Sequence, residues 1–178
     1  MRQTPYRMIS LPSSPVTGLW SNQFGFGAAL FWAPAVLLVH LGLCLFSPAI
    51  ADMLSAPYAW AVALSTAFWT GLGLLLLMRR LDRDFGPRTS VCATAAILLA
   101  TPLIFYGWLH GSMSHGVSFF LAIAFLLQLE RALELAGPRQ IFRLGLLGGL
   151  VFVTRYQDVV WVAAVGGVAF WHHADASD

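Results

Sequence analysis

The sequence contains no lysine and few charges of either sign. All ten basic residues are arginines, and together with eight acidic residues they make up 10% of the 178 residues. A soluble domain carries about 25% charged residues, and a water-facing surface needs roughly 25–35%. This shortage excludes an ordinary cytosolic enzyme, a disordered chain and a nucleic-acid binder with a basic face. With 58% hydrophobic residues and a mean hydropathy of +0.74, the composition indicates an integral membrane protein.

Cysteine is also scarce. Cys44 and Cys92 lie inside apolar runs, without the spacing typical of a metal site. We expect both to be unpaired and to act as small hydrophobic side chains. The first twenty residues contain three prolines and no unbroken apolar stretch, whereas a secretory signal peptide needs an apolar core of about 7–15 residues. We therefore predict a polar N-terminal tail over residues 1–23.

Long apolar runs fill most of the remaining chain. The runs 24–46 and 58–78 contain no Asp, Glu, Lys or Arg, and each is long enough to cross a bilayer core, which takes about 20 residues. The second run ends at the arginine-rich sequence RRLDRDFGPR, in which Gly86-Pro87 predicts a turn. Each run therefore predicts a membrane helix.

A longer uncharged stretch covers residues 89–129 and has roughly twice the spanning length. It predicts two helices, with a break in TPLIFYGWLHGSMSHG (101–116), where proline and glycines interrupt the apolar pattern. The later of the two helices is expected to leave the bilayer as LERALELAG and to end at Gly137-Pro138.

The last apolar part permits two arrangements. Residues 139–155 cover about 24 Å as a helix, which is short of the ~30 Å core. They form either a hairpin whose tip lies in a sunken, protein-lined cavity, or one long helix that carries Arg155 and Asp158 at mid-depth. We favour the hairpin, because a charged pair facing lipid costs several kcal/mol. The predicted fold is an all-α, polytopic transmembrane bundle of about five to six helices over residues 24–171, followed by a polar tail, 172–178.

The arginines predict the orientation of this bundle. Seven lie in the turn after the second run and in the segment after the fourth helix, whereas Arg155 is alone at the opposite end. Because cytoplasmic loops carry an excess of arginine and lysine, the arginine-rich end is predicted to face the cytoplasm. The polar residues expected together on the external face are His110, Ser112, Ser114, His115, Arg155, Gln157 and Asp158. An interfacial aromatic belt is expected there from Tyr58, Trp60, Tyr106 and Trp108.

The densest polar motif is HGSMSHG, residues 110–116. Histidine beside serine can form a nucleophile and base pair, but no G-x-S-x-G elbow is present and no acid lies nearby to orient either histidine. Two histidines five residues apart, without Cys, Asp or Glu beside them, also make a poor metal site. We therefore interpret the motif as a polar interhelical turn, and we predict no metal site.

Arg155 and Asp158 are more informative. At positions i and i+3 they can pair on one helix face and close the hairpin. An ionisable group at membrane depth is equally a functional candidate, and a planar guanidinium suits a lipid phosphate. His40 is expected to form a hydrogen bond within the bundle. Five glycines are expected to permit close helix packing: Gly71, Gly73, Gly145, Gly148 and Gly149.

Several segments, in order, resemble the GT-C type glycosyltransferases, multi-pass enzymes related to protein O-mannosyltransferases. The segments are NQFGFGAALFWAP, RRLDRDFGPRTS, ATPLIFYGWLHGSMSHGVSFFLAIAFL and GLLGGLVFVTRYQD, within residues 20–171. The resemblance implies a GT-C-like core that takes a sugar from a polyprenyl-phosphate donor on the external face of the cell's inner membrane. The resemblance also allows the helix of residues 24–46 to lie along the external membrane interface instead of spanning the bilayer.

The resemblance implies residue roles as well. Arg155 would bind the donor phosphate, and His115, Gln157 and His110 would form hydrogen bonds to phosphate or sugar. Asp158 is the remaining candidate for a catalytic base. The lipid-linked sugar is a substrate, and no cofactor is implied. The acid-bearing external loop of such enzymes has no counterpart here, so the chain is expected to be a truncated piece that is inactive alone.

The alternative hypothesis is a small, non-enzymatic, multi-pass membrane protein that assembles with a partner membrane subunit. Both hypotheses place the chain in contact with lipid, and neither involves nucleic acid. They differ in whether the external polar residues bind a lipid-linked sugar.

Overall fold

The computed structural model describes residues 25–135 and 137–175, and this part of the chain is all-α. It contains six α-helices, one π-helical segment and two single 3₁₀ turns. The α-helices are α1 (Gly27–Phe46), α2 (Ala56–Phe85), α3 (Pro87–Ala100), α4 (His115–Leu135), α5 (Pro138–Thr154) and α6 (Val159–Asp175). The π-helical segment is Phe105–Leu109, and the turns are Pro48–Ile50 and Tyr156–Asp158. The predicted N-terminal tail, 1–23, lies outside the described residues.

Three of the described helices are long and apolar enough to cross a membrane. They are α1 with 20 residues, α2 with 30 and α4 with 21, and a bilayer core takes about 20 residues. Large apolar side chains on α1 are exposed, as expected for a surface in lipid; Leu38 and Leu45 are examples. The all-α class is therefore confirmed, and three helices of the described residues could cross a membrane, as a multi-pass membrane protein requires.

Helix α2 is longer than the sequence predicts. The expected end is Met78, but the helix continues through the arginine cluster to Phe85. Arg80 Nε donates to Glu130 Oε2 of α4 at 2.7 Å, and Arg80 Nη1 pairs with Asp84 one turn further along. Because these partners hold Arg80 at the helix surface, the last two turns remain helical beyond the apolar run.

The predicted chain reversals are confirmed. Gly86 ends α2 with a φ of 78°, a region that favours glycine, and Pro87 occupies the first turn of α3. The break predicted within 101–116 separates α3 from α4. Helix α4 ends at Leu135, next to the predicted Gly137-Pro138 stop.

Helices α1 and α2 pack antiparallel. The carbonyl oxygen of Phe31 accepts hydrogen bonds from Ser65 Oγ at 3.0 Å and from Trp69 Nε1 at 3.1 Å. Toward the other end of α1, a hydrogen bond of 2.7 Å joins His40 Nδ1 and Tyr58 Oη. The prediction that His40 forms a hydrogen bond within the bundle is confirmed.

Helices α2 and α4 run side by side in the same direction. Gly116, at the start of α4, lies against Thr70 of α2, and Arg80 lies beside Glu130 near the end of both helices. Between these points, a Cβ added to Gly73 would lie 3.0 Å from the backbone of α4. The pairing fixes which end of the bundle each connecting segment reaches.

The glycine prediction is only partly correct. Gly73 does permit close packing, and Gly148 makes an ordinary contact, since a Cβ there would lie 3.6 Å from Phe125. The prediction is wrong for three glycines that have no atom of the described residues within 4 Å of an added Cβ: Gly71, Gly145 and Gly149. Amino-acid type alone does not show which side of a helix faces a neighbour.

Of the two arrangements predicted for the chain after Gly137-Pro138, the hairpin is confirmed. The backbone leaves the helix after Thr154, and α6 returns along α5, where Val162 lies 3.8 Å from the Cβ position of Gly148. The hairpin packs on α4 through a buried cluster of Phe125, Leu129, Ala132 and Leu144. Around that cluster lie Leu133, Leu147, Trp161, Val162 and Ala169.

The connection between α1 and α2 is a hydrogen-bonded turn. Asp52 Oδ1 accepts from the backbone N–H groups of Leu54 at 2.9 Å and Ser55 at 2.8 Å. Both bonds favour the charged carboxylate, so they hold the pKa of Asp52 below its ordinary value. The turn leads directly into α2.

Thiol labelling tests the orientation of the bundle. In a Cys44→Ala, Cys92→Ala background, Asp82→Cys and Ser112→Cys each place one thiol on an exposed residue at opposite ends of the bundle. We expect an impermeant maleimide added outside intact cells to label position 112, and to label position 82 only after permeabilisation. Labelling of both positions from one side would contradict the helix arrangement.

Candidate functional site

Arg155 lies at the centre of a polar cluster. Its extended backbone, with φ −151° and ψ 101°, ends α5. Nη1 donates to His115 Nδ1 at 2.5 Å, and Nη2 donates to Gln157 Oε1 at 3.3 Å. Because arginine has no acceptor, His115 Nδ1 must accept, and the neutral ring carries its hydrogen on Nε2. That hydrogen can be donated to a ligand.

Asp158 ties this cluster to α4. Its Oδ2 accepts a hydrogen bond from the hydroxyl of Ser118 and lies 3.9 Å from Arg155 Nε. That separation is too long for a hydrogen bond, so the arginine and the carboxylate interact mainly through charge. The arginine side chain is 26% exposed and the carboxylate 19%. The hairpin tip is thereby held against the first turn of α4.

The guanidinium has donors to spare. It carries five N–H bonds, and the two hydrogen bonds named above engage one N–H each on Nη1 and Nη2. The remaining N–H groups can engage an anion in the planar, forked geometry that suits phosphate or carboxylate. The cluster therefore has capacity to bind a ligand beside its internal contacts.

An aromatic residue covers one side of the cluster. The Tyr106 ring stacks on His115, with centroids 4.1 Å apart and planes inclined by 18°. Tyr106 belongs to the π-helical segment, which approaches α2 closely at Gly107, where an added Cβ would lie 2.9 Å from the Thr70 methyl carbon. A glycine at this point lets the segment pack on α2 and places Tyr106 over His115.

The other residues predicted for this face are placed differently. His110 is exposed, and its ring stacks on Phe105 at 5.6 Å; within the described residues, no hydrogen bond joins it to Arg155. Neither Ser112 nor Ser114 forms a hydrogen bond to a histidine in this part of the chain. The structure therefore brings together His115, Arg155, Gln157 and Asp158 and leaves His110 at the edge.

The cluster is recessed along the bundle. From Glu130 to His115 the rise along α4 is about 22 Å, which is short of a ~30 Å bilayer core. Helix α2 passes the cluster near Thr66 and continues for ten residues to Ala56, about 15 Å further. The polar cluster thus lies about 15 Å short of the Ala56 end of the α1–α2 pair.

This depth corrects the predicted aromatic belt. Tyr58 is buried against His40 near the N-terminal end of α2. The segment carrying Tyr106 packs against Thr70, which is twelve residues, or about 18 Å, further along the same helix. These aromatic residues therefore lie at two levels, and the prediction of a single belt is wrong.

A buried polar contact that was not predicted from the sequence lies beside the cluster. Thr66 is fully buried; its Oγ1 donates to the carbonyl of Gly111 at 2.6 Å and accepts from Trp32 Nε1 at 2.8 Å. Two threonines one helical turn apart, Thr66 and Thr70, are the signal in the sequence. They face the glycine-interrupted segment after α3, and together they indicate a close, hydrogen-bonded approach.

Comparison of the chain with protein-family models, with curated proteins and with solved structures finds no match. The geometry of the cluster is therefore the basis on which a function is proposed.

Proposed function

We propose that the chain forms part of the membrane domain of a GT-C type glycosyltransferase in the cell's inner membrane. Its donor is a polyprenyl-phosphate sugar taken from the external face, and Arg155 binds the donor phosphate. The observation that carries the proposal is the half-buried side chain of Arg155, with unused N–H donors, recessed about 15 Å from the Ala56 end of α2.

The recess suits a phosphate attached to a long lipid. A phosphate can descend to Arg155 while its hydrocarbon chain stays against exposed apolar side chains of α5 and α6, such as Phe152 and Val160. Charge-assisted bonds from a guanidinium are about twice as strong as neutral ones, and low local polarity strengthens them further. His115 Nε2–H supplies a second donor for phosphate or sugar.

The other predicted site residues have different roles in this proposal. Gln157 orients the guanidinium, and His110, at the edge of the cluster, is available to a sugar hydroxyl. Glycosyl transfer requires a carboxylate within reach of the acceptor hydroxyl. Asp158 stays the candidate base, but its contacts with Ser118 and Arg155 suit a positioning role better. We therefore expect the catalytic carboxylate outside the described residues.

We also propose that five to six helices of the bundle span the membrane. Helices α3, α5 and α6 have 14, 17 and 17 residues, and they rise about 21–26 Å. Helices this short span a bilayer only where it thins locally, at a modest cost per ångström. A thinned bilayer beside α5 and α6 would also bring lipid headgroups closer to Arg155.

Binding of a polyprenyl phosphate to the purified chain in nanodiscs tests the proposal. We expect Arg155→Ala to weaken binding about tenfold or more, since a hydrogen bond to a charged group contributes roughly 1.5–3 kcal/mol. Arg155→Lys keeps the charge but loses the fork, so it should bind with intermediate affinity. Native mass spectrometry with a titrated lipid measures all three affinities.

The matched control is Arg143→Ala, which removes an exposed arginine from the other end of the same helix. It should leave polyprenyl-phosphate affinity unchanged within twofold. Equal affinity of the Arg155→Ala and unaltered proteins, at unchanged thermal stability, would reject the phosphate-binding role.

The alternative, a non-enzymatic partner subunit, is favoured by one observation: the carboxylate beside Arg155 is already engaged by Ser118. Transfer of labelled sugar from a polyprenyl-phosphate donor in membranes that contain the chain separates the two functions. Lipid binding without transfer, with a larger membrane protein that co-purifies after detergent extraction, would support the subunit.

A further inference from the structure

A second charged site lies at the arginine-rich end, far from Arg155. The last turns of α2 and α4 enclose a groove with a volume of about 320 Å³. Its charged lining includes Arg79, Arg80, Arg83 and Arg131. We use the name arginine groove for the space between these four side chains.

The arginine groove carries excess positive charge. Arg80 is held in place by Glu130, one of two glutamates in the lining, so this acid is already neutralised. Arg79, Arg83 and Arg131 are exposed, and within the described residues none of them forms an ion pair. The lining holds four arginines and two glutamates, and Asp84 beside it also pairs with Arg80, so one net positive charge remains, which suits an anion.

The groove is also amphipathic along its length. Leu76 and Leu127 line its inner end. Arg79 is the first charge after the apolar run of α2, and Glu130 is the first after the uncharged stretch in α4. The groove therefore lies where the hydrocarbon region ends, with leucines toward the lipid tails and arginines toward water. A small soluble anion would not require the apolar end.

We propose that the arginine groove binds the phosphate of an anionic phospholipid in the leaflet at this end of the bundle. Arg83 and Arg131, from opposite walls, contact the phosphate, while Arg80 stays paired with Glu130 and Asp84. The acyl chains lie along Leu76 and Leu127. Basic pockets between membrane helices bind anionic headgroups by this combination of charge and apolar surface.

The test compares two double variants that remove the same charge. Arg83→Gln with Arg131→Gln removes the two arginines proposed to contact the phosphate, whereas Arg88→Gln with Arg143→Gln removes two exposed arginines outside the groove. We expect phosphatidylglycerol affinity, measured by native mass spectrometry from nanodiscs of phosphatidylglycerol in phosphatidylcholine, to fall about 25-fold in the first variant, at about fivefold per arginine. The second variant should lose less than threefold.

Three results would overturn the proposal. Equal losses in both double variants would show diffuse attraction to a charged surface. An unaltered protein that retains phosphatidylglycerol no better than phosphatidylcholine would show that no anion is selected. Displacement of the lipid by millimolar glycerol phosphate would show that the groove recognises a soluble phosphate. Thermal stability of each variant is measured alongside, so that a folding defect is recognised.

Discussion

Replacing Thr66 with valine is expected to lower the free energy of unfolding by about 2–4 kcal/mol, although valine has nearly the same shape. The hydroxyl accepts from Trp32 Nε1 and donates to the carbonyl of Gly111, in a fully buried position. Valine leaves both partners without that hydrogen bond, and each buried polar group orphaned in this way costs about 1–3 kcal/mol.

The chain provides a matched control for this substitution. Thr94 Oγ1 is buried and, in the described part of the chain, has no hydrogen-bond partner. Thr94→Val therefore removes an unsatisfied polar atom and should leave stability equal or slightly higher. Thermal unfolding in detergent, followed by tryptophan fluorescence, compares the two variants. Equal destabilisation by both would show that the Thr66 hydrogen bonds do not hold the loop.

The membrane architecture follows from the sequence where local chemistry decides it. Gly86-Pro87 turns the chain because glycine adopts a positive φ and proline tolerates a first helical turn. The hairpin at Arg155 was predictable because a charged residue at mid-depth in one long helix is costly. These features depend on a few neighbouring residues, so they are visible without tertiary contacts.

Features that depend on distant residues were not predictable. Helix α2 outruns its apolar segment because Arg80 meets Glu130, fifty residues away in sequence. Likewise, the grouping of His115 with Arg155 on one face was expected from the helix count. Their hydrogen bond depends on how the start of α4 packs against the tip of the α5–α6 hairpin, and the sequence pattern does not encode that register.

The positions of the aromatic residues also depend on distant contacts. Composition places tyrosine and tryptophan at membrane interfaces, and Tyr58 does lie near one end of α2. Tyr106 instead covers His115, because Gly107 lets the π-helical segment sink against Thr70. The depth of the site is therefore a consequence of glycine packing and not of hydrophobicity.

Gly116→Ala is expected to lower the free energy of unfolding by about 1–3 kcal/mol, the usual cost of overpacking a filled interior. An added Cβ would lie 2.8 Å from the methyl carbon of Thr66 and closer still to the Thr70 hydroxyl, so α4 must move away from α2. Gly145→Ala is the control, because no atom in the described part of the chain lies within 4 Å of its Cβ position. There alanine should stabilise the helix by up to about 1 kcal/mol.

The two alanine variants should also differ at the polar cluster. His115 precedes Gly116, so displacing the start of α4 lengthens the bond from Arg155 to His115 and weakens polyprenyl-phosphate binding; Gly145→Ala should bind as the unaltered protein does. Comparison of Gly116→Ala with Gly145→Ala tests whether the α2–α4 contact positions Arg155 for phosphate binding. If Gly116→Ala unfolds more easily yet binds normally, Arg155 does not need the α2–α4 contact. If it loses both stability and binding while Gly145→Ala loses neither, the contact that buries Thr66 also positions the phosphate site.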